Sequence, residues 1–69
     1  MERQAVSSAN LVSIGYDPDS ETLEVEFTKS GVYQYFNLPL FIYERLMIAD
    51  SIGKFFNAEI KNAYPCSKL

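Results

Sequence analysis

The side chains of this 69-residue chain that could do chemistry are few and poorly suited to catalysis. The sequence contains no His and no Trp, and Cys66 is its single cysteine. Nucleophilic catalysis by serine or cysteine usually needs a neighbouring base, and zinc sites usually need several His or Cys ligands. Ser7 and Ser8 have no such base beside them. We therefore expect a protein that is not an enzyme and that binds no cofactor and no metal.

Three acidic residues in alternate positions, Asp17, Asp19 and Glu21, match the start of a calcium-binding loop. The conserved glycine of such a loop is replaced by Thr22, and the later ligand positions do not match. Residues 17–20 contain proline and short polar side chains, which favour a tight turn. We interpret the segment as a hairpin turn.

The charge of the chain is unevenly distributed. Six basic and nine acidic residues give a net charge of −3. Residues 1–50 are strongly acidic, whereas residues 51–69 carry Lys54, Lys61 and Lys68 and only one acidic residue. Proteins that bind nucleic acid are typically basic, because phosphate neutralisation supplies much of their affinity. We therefore expect no DNA partner, and only the C-terminal third could attract an anion such as RNA.

A single cysteine excludes an internal disulfide, which is typical of proteins in a reducing cytoplasm. No apolar run approaches the ~20 residues that span a bilayer. The first residues also lack the basic and apolar regions of a signal peptide. We expect a cytoplasmic protein that does not contact a membrane.

The elements that would position these side chains follow from hydrophobic periodicity. Alternating apolar residues predict strands over residues 11–16, 22–28 and 32–36, joined by turns into an antiparallel meander. The period then changes to that of a helix, which predicts helices over residues 39–49 and 52–64. The predicted fold is α+β, with the elements in the order β-β-β-α-α along the chain and both helices packed on one face of the sheet.

We expect one domain over residues 1–69 with an ordered core of about residues 8–64. Residues 1–7 show no periodic pattern and are predicted to be frayed. Residues 65–69 begin with Pro65, which ends a helix, and are predicted to form a tail.

Short motifs are spread in order between Ser7 and Tyr64. They are Ser7-Ser8, Gly15-Tyr16-Asp17, Leu23, Val25, Phe27, Gly31, Tyr33-Gln34-Tyr35, Pro39, Ala49, Ser51, Gly53, Phe55-Phe56-Asn57, Ile60 and Tyr64. This ordered set resembles the KTSC domain, a small module named for its place at the C-terminus of some lysyl-tRNA synthetases and also found alone in short bacterial proteins. The resemblance implies an RNA-associated role. The sequence departs from the family at Leu40 and Phe41, which are apolar where the family usually has polar residues.

The motif residues Tyr33 and Tyr35 lie two positions apart on a strand, so both rings emerge on one face. A three-residue hairpin loop ending at Gly31 pairs Phe27 with Tyr33 and places both rings in the core. A two-residue loop moves them to the polar face, where they could stack on bases. We favour the core position, because a left-handed Gly31 closes a three-residue hairpin loop.

One stripe of the predicted second helix combines cationic, amide and aromatic side chains. This candidate RNA or anion contact consists of Lys54, Asn57, Lys61 and Tyr64. The alternative is a solvated helix face with Tyr64 covering the edge of the core.

The predicted first helix has more apolar surface than the sheet can cover. Ile42, Leu46 and Ala49 form the stripe that faces the core. The other apolar side chains form a candidate protein interface: Leu40, Phe41, Met47 and Ile48. Exposed apolar patches usually mark protein contacts. The alternative is that residues 1–7 or the tail fold over this surface.

Together these features favour a non-catalytic binding or assembly module. The first helix would contact another protein or, as a homodimer, a second copy of the chain. The alternative is an RNA-associated accessory module that contacts tRNA-like or single-stranded RNA. Salt separates the two, because phosphate binding weakens steeply with added salt and apolar association does not.

Overall fold

A computed structural model describes residues 1–69 as an antiparallel sheet with two helices. The elements in chain order are β1 (Gln4–Ala5), β2 (Leu11–Asp17), β3 (Thr22–Phe27), β4 (Gly31–Tyr35), α1 (Leu40–Ile48), α2 (Ile52–Phe55), a π-helical turn (Phe56–Ile60) and β5 (Cys66–Lys68). The strands are neighbours in the order β1-β2-β3-β4-β5, and each pair is antiparallel. The α+β class and the central three-stranded meander are confirmed, but the sheet has five strands rather than three.

The two additional strands come from the chain termini. β1 pairs with β2, with Gln4 opposite Ile14, and β5 pairs with β4. The predicted fraying of residues 1–7 and the predicted tail at residues 65–69 are therefore wrong. Both edge strands are short, exposed and mostly polar. They are held by backbone hydrogen bonds to their neighbours rather than by an apolar face, so they leave no hydrophobic period in the sequence.

The hairpin between β3 and β4 differs from the predicted register by two residues. Phe27 pairs with Gly31, and Val25 rather than Phe27 pairs with Tyr33. A shift of two residues keeps every side chain on its face. Tyr35 is therefore buried and Tyr33 half-buried against the core, as predicted. Gly31 has a φ of +89°, a left-handed conformation that glycine adopts at little steric cost.

The hydrophobic core lies between the sheet and the helices. It consists of Leu11, Ile14, Leu23, Val25, Tyr35, Leu38, Leu46, Phe56 and Ile60. The ring of Phe56 contacts Phe27 and Tyr35 edge to face, with centroid distances of 5.4 and 5.3 Å. These contacts fix the second helical segment against β3 and β4.

Helix α1 follows Pro39 and buries Leu46, with Ile42 packed against the core. It ends at Ala49, whose ψ of 144° is extended. The side chain of Ser51 then accepts a hydrogen bond from the backbone N–H of Lys54 at 3.2 Å. The break between the two predicted helices is confirmed, and Ser51 caps the second helix.

The second helix is shorter and less regular than predicted. Its α-helical part covers only Ile52–Phe55, and a π-helical turn continues to Ile60. The N–H of Lys61 donates to the carbonyl of Phe56 at 3.0 Å, the i to i−5 bond of a π-helix. Residues 61–64 form turns instead of helix. The wider turn changes which side chains share a face beyond Phe56.

The second face of the sheet carries a polar network instead of a fully wet surface. Glu24 is only 7% exposed. Its carboxylate accepts hydrogen bonds from Gln34 at 2.9 Å and from the guanidinium of Arg3, which also donates to Ser13 at 2.9 Å. The hydrogen bond from Gln34 and the bond and charge of Arg3 lower the pKa of Glu24, although burial opposes them.

The segment that brings Arg3 to this face crosses β2 at Gly15. A Cβ atom at Gly15 would lie 2.5 Å from the carbonyl oxygen of Glu2. Only glycine therefore allows this approach without movement of the backbone. Close packing at Gly15 is what positions the N-terminal residues over Glu24.

Candidate functional site

The outer surface of α1 is apolar at both ends and charged in the middle. We call it the α1 face and define it as Leu40, Phe41, Glu44, Arg45 and Ile48, all of which are exposed. Leu40 is 46% exposed, Phe41 56% and Ile48 82%. The guanidinium of Arg45 lies over the Phe41 ring, 5.8 Å from its centroid.

One of the four predicted interface residues, Met47, lies outside this face. Met47 is half-buried and packs against the core, so it does not belong to the α1 face. The chain termini do not cover this face either. Residues 4–6 pair with β2, and β5 pairs with β4, while Phe41 and Ile48 stay exposed. The alternative in which a terminus covers the helix is wrong.

The predicted stripe on the second helix is divided by the π-helical turn. Asn57 and Lys61 line a cleft beside the β3–β4 hairpin, and Lys54 and Tyr64 do not. Lys54 is exposed, whereas Tyr64 is half-buried and packs against the core. These four side chains therefore do not form one contact surface.

The hairpin cleft lies between the β3–β4 hairpin, the start of β2 and the π-helical turn, and has a volume of about 760 Å³. Its lining residues are Ala9, Asn10, Leu11, Phe27, Thr28, Lys29, Ser30, Tyr33, Tyr35, Phe56, Asn57, Lys61, Asn62 and Cys66. Ligand pockets typically have volumes of about 300–1,000 Å³. The hairpin cleft is therefore large enough for a small molecule or for one unit of a polymer.

The cationic side chains of this acidic protein are concentrated at the hairpin cleft. Lys29 and Lys61 line it, and none of the acidic residues does. Lys68 lies beside it, with its Nζ 5.9 Å from the centroid of the Tyr33 ring. None of these three lysines forms an ion pair, whereas Arg3 pairs with Glu24. The hairpin cleft thus offers free positive charge next to aromatic rings.

The two tyrosines of the sequence motif occupy the inner part of the cleft. Tyr33 packs edge to face on Phe27 with a centroid distance of 5.5 Å. Burial raises the pKa of Tyr35 to about 12, and the nearby Cys66 and Tyr33 add to the rise. Tyr35 is therefore a neutral phenol at physiological pH, suited to packing rather than to proton transfer.

Sequence reasoning did not identify Asn10, Lys29 or Asn62 as members of a site. They come from three segments far apart in the chain, and no motif spacing joins them. The π-helical turn brings Asn57 and Lys61 to the hairpin, and a regular helix was predicted there. The one available signal was the basic excess of residues 51–69.

Two further structural findings concern metal clusters and membrane spans. No group of three or more Asp, Glu or Cys side chains is arranged to share a metal ion. Neither helix has the length and apolar character needed to cross a membrane.

Comparison with known proteins gives a consistent result. The sequence model of the KTSC domain matches residues 7–64. The crystal structure of a KTSC domain protein from Yersinia pestis is similar to this structure, with a TM-score of 0.97 and 44% sequence identity. The match covers 99% of this chain and 96% of that chain.

Two kinds of relative are found among curated proteins. An uncharacterised protein from Stutzerimonas stutzeri is 43% identical over 61 residues, which is 88% of this chain and 86% of that protein. A lysine–tRNA ligase from Nostoc sp. is 37% identical over 54 residues. That match covers 78% of this chain but only 10% of the ligase.

Proposed function

This chain belongs to the KTSC domain family, and we propose that it is a non-catalytic binding module that pairs with a second copy of itself through the α1 face. The observation that carries the proposal is the exposure of Leu40, Phe41 and Ile48 on one side of a single short helix. Exposed apolar side chains on a helix that already packs its other side on the core are typical of a protein contact.

Several features support a non-catalytic role. The chain has no histidine, and its only thiol, Cys66, is exposed beside a neutral Tyr35. The one buried carboxylate, Glu24, is bound by Gln34 and Arg3 in the polar network of the second sheet face. The free thiol also supports the reducing cytoplasm as the compartment of the protein.

The charge pattern of the α1 face supports a second copy as the partner. In an antiparallel pair of helices related by a two-fold axis, the ends of one helix lie against the opposite ends of the other. Phe41 then lies near Ile48 of the second copy, and Glu44 lies near Arg45 of the second copy. The face is therefore complementary to itself in both apolar contact and charge.

The small area of the α1 face indicates a weak contact between the two copies. Helix α1 has nine residues and is therefore only about 13 Å long. Stable interfaces bury about 1,200–2,000 Å² in total, so this pair would be at the weak, transient end. We expect dissociation constants in the micromolar range.

Sedimentation equilibrium up to high micromolar concentration tests the homodimer. Ile48→Glu should give a monomer at all concentrations, because it places a charge in the apolar contact. Val12→Glu, at another exposed apolar residue but on the sheet, is the matched control and should still pair. A wild-type chain that remains monomeric would rule out self-association.

A charge exchange tests the antiparallel arrangement. Glu44→Arg alone should weaken pairing, because the introduced arginine then faces Arg45 of the other copy. Adding Arg45→Glu should restore pairing in the double variant. Pairing that is weakened further by the second change would contradict the antiparallel geometry.

A second candidate function is RNA association, and one observation favours it specifically. Two lysines without ion pairs line the hairpin cleft and a third lies beside it, although the chain as a whole is acidic. One relative of this chain is a lysine–tRNA ligase by name, in which the matching segment is a small part. A module attached to such an enzyme would assist its contact with RNA.

Binding to tRNA or to a single-stranded oligonucleotide, measured at several salt concentrations, tests this candidate. Affinity that falls steeply as salt rises would indicate phosphate contacts. No measurable binding at low salt would exclude RNA association, and it would leave the homodimer unaffected.

A further inference from the structure

Three features of the hairpin cleft point to one class of ligand. The cleft has an aromatic interior, two lysines on different walls and three asparagine side chains, and no carboxylate lines it. Aromatic rings bind flat unsaturated rings, lysines bind phosphate, and amides form hydrogen bonds with base edges. A nucleotide combines the three groups that these side chains recognise.

The aromatic surface available to a base is provided by Phe27 and Tyr33. Both are half-buried, whereas the deeper rings of Tyr35 and Phe56 belong to the core. Phe27 is held between Tyr33 and Phe56 by edge-to-face contacts with centroid distances of 5.5 and 5.4 Å. These rings are therefore fixed before a ligand arrives, which reduces the entropy lost on binding.

The cations lie on separate elements around those rings. Lys29 is in the hairpin loop, Lys61 follows the π-helical turn, and Lys68 on β5 lies over Tyr33. A single phosphate would occupy one of these positions. Lysines on two walls of one cleft are better matched to the successive phosphates of a strand.

From this arrangement we infer that the hairpin cleft binds one unpaired nucleotide of a single-stranded RNA, with its base against Phe27 and Tyr33 and the flanking phosphates at Lys29 and Lys61. The inference rests on the RNA association proposed above and assigns it to a site. It replaces the stripe predicted from the sequence, because Lys54 and Tyr64 lie outside the cleft.

The test is a titration with a single-stranded oligoadenylate of about eight nucleotides, a typical length for one single-strand binding site. Chemical shifts of the backbone amides report where it binds. We expect the largest changes in the hairpin loop and in the π-helical turn. Changes confined to α1 or to the second sheet face would overturn the site.

Two variants measure the phosphate contacts. Lys29→Gln combined with Lys61→Gln should weaken binding by about tenfold or more and reduce the slope of log affinity against log salt by about 1.4, because each single-strand phosphate contact contributes about 0.7. Lys54→Gln is the matched control at an exposed lysine outside the cleft and should change neither quantity. A slope reduction of about 0.7 from Lys54→Gln, the same per lysine as in the double variant, would show a diffuse charge attraction and overturn the site.

A separate variant, Tyr33→Leu, tests the contact with the base. Tyr33→Leu removes an aromatic ring and should reduce oligoadenylate affinity by about tenfold. A melting curve of the same variant shows whether it is folded, and the lysine variants test the site independently of that result. Unchanged affinity in a folded Tyr33→Leu protein would exclude stacking on this ring.

Titration with adenosine monophosphate separates a nucleotide within RNA from a free nucleotide. We expect the monophosphate to bind more weakly than the oligomer, because it reaches only one of the two phosphate positions. Equal affinity would overturn RNA as the source of the nucleotide. RNA binding that survives the cleft variants would refute this site but keep the RNA association, and an absence of any binding would refute both.

Discussion

The two faces of the sheet are built from the same strands, but one is stabilised by apolar burial and the other by hydrogen bonds and an ion pair. On one face Leu23, Val25 and Tyr35 are covered by helices and form a dry apolar core. On the other face Glu24 accepts hydrogen bonds from Arg3 of the N-terminal segment, which covers it, and from Gln34 of the neighbouring strand β4. Apolar burial depends little on pH, whereas a buried carboxylate depends on its ionisation. The helical face should therefore carry most of the stability, and the polar face should make stability respond to acid.

The largest predicted effect is on the apolar face. Phe56→Ala removes a ring that is 2% exposed and that contacts Phe27 and Tyr35. We expect a loss of about 3–5 kcal/mol in the free energy of unfolding, from lost burial and the cavity left behind. Urea denaturation measures it. A loss below about 1 kcal/mol would mean that the helix is not held by this ring.

The next effect is on the polar face, at the crossing of the N-terminal segment over β2. Gly15→Val places side-chain atoms where the carbonyl of Glu2 lies. We expect it to displace the segment and destabilise the fold by about 1–3 kcal/mol, as measured by thermal unfolding.

Arg3→Ala provides the control for this mechanism. If Gly15→Val acts by moving the segment that carries Arg3, the double variant should be little less stable than Gly15→Val alone. Additive losses would show that Gly15 and Arg3 contribute separately, and that the crossing is not what holds the polar face together.

The contrast between the faces also explains what the sequence could predict. The alternation of Leu23, Val25 and Phe27 and the helical stripe through Leu46 made the apolar face predictable, because burial imposes a period on the sequence. The three-residue hairpin loop inferred from Gly31 placed Tyr33 and Tyr35 on the correct face, although the predicted register was two residues off.

The polar face and the hairpin cleft carry no such period. Alternation along β3 predicts that Glu24 is exposed, whereas its contacts with Arg3, twenty-one positions away, and with Gln34 accompany its burial. The hairpin cleft joins residues 9–11, 27–35 and 56–66. The positive charge of the cleft could be inferred from the basic C-terminal third. The location of the cleft depends on the π-helical turn, which no residue pattern in this chain predicts.

A smaller effect, about 1 kcal/mol at neutral pH, is expected from Glu24→Gln, which keeps the shape of the side chain and removes its charge. The pKa of Glu24 is lowered in the folded protein by the hydrogen bond from Gln34 and by Arg3. The stabilising contribution is therefore complete above the ordinary pKa of an unfolded glutamate and is lost as pH falls through the lowered pKa of the folded protein.

Urea denaturation from neutral pH down to about pH 3 checks the sign of this dependence. The wild-type chain should lose more stability with acid than Glu24→Gln, so that the difference between them narrows as pH falls. Glu59→Gln is the control at an exposed carboxylate and should remain close to the wild type. A constant difference across this range would show that Glu24 does not cause the acid sensitivity.

The smallest predicted effect on the isolated monomer is at Ile48, on the exposed side of helix α1. Ile48 is 82% exposed, while Leu46, two positions earlier, is fully buried. Ile48→Ser should change the stability of the dilute chain by no more than about 0.5 kcal/mol, in contrast to about 2–5 kcal/mol for Leu46→Ala. Since pairing through the α1 face would add stability by mass action, the melting temperature of the wild type should rise with protein concentration, and that rise should vanish in Ile48→Ser. A melting temperature that is independent of concentration in both proteins would mean that helix α1 stabilises the fold only through its inner side.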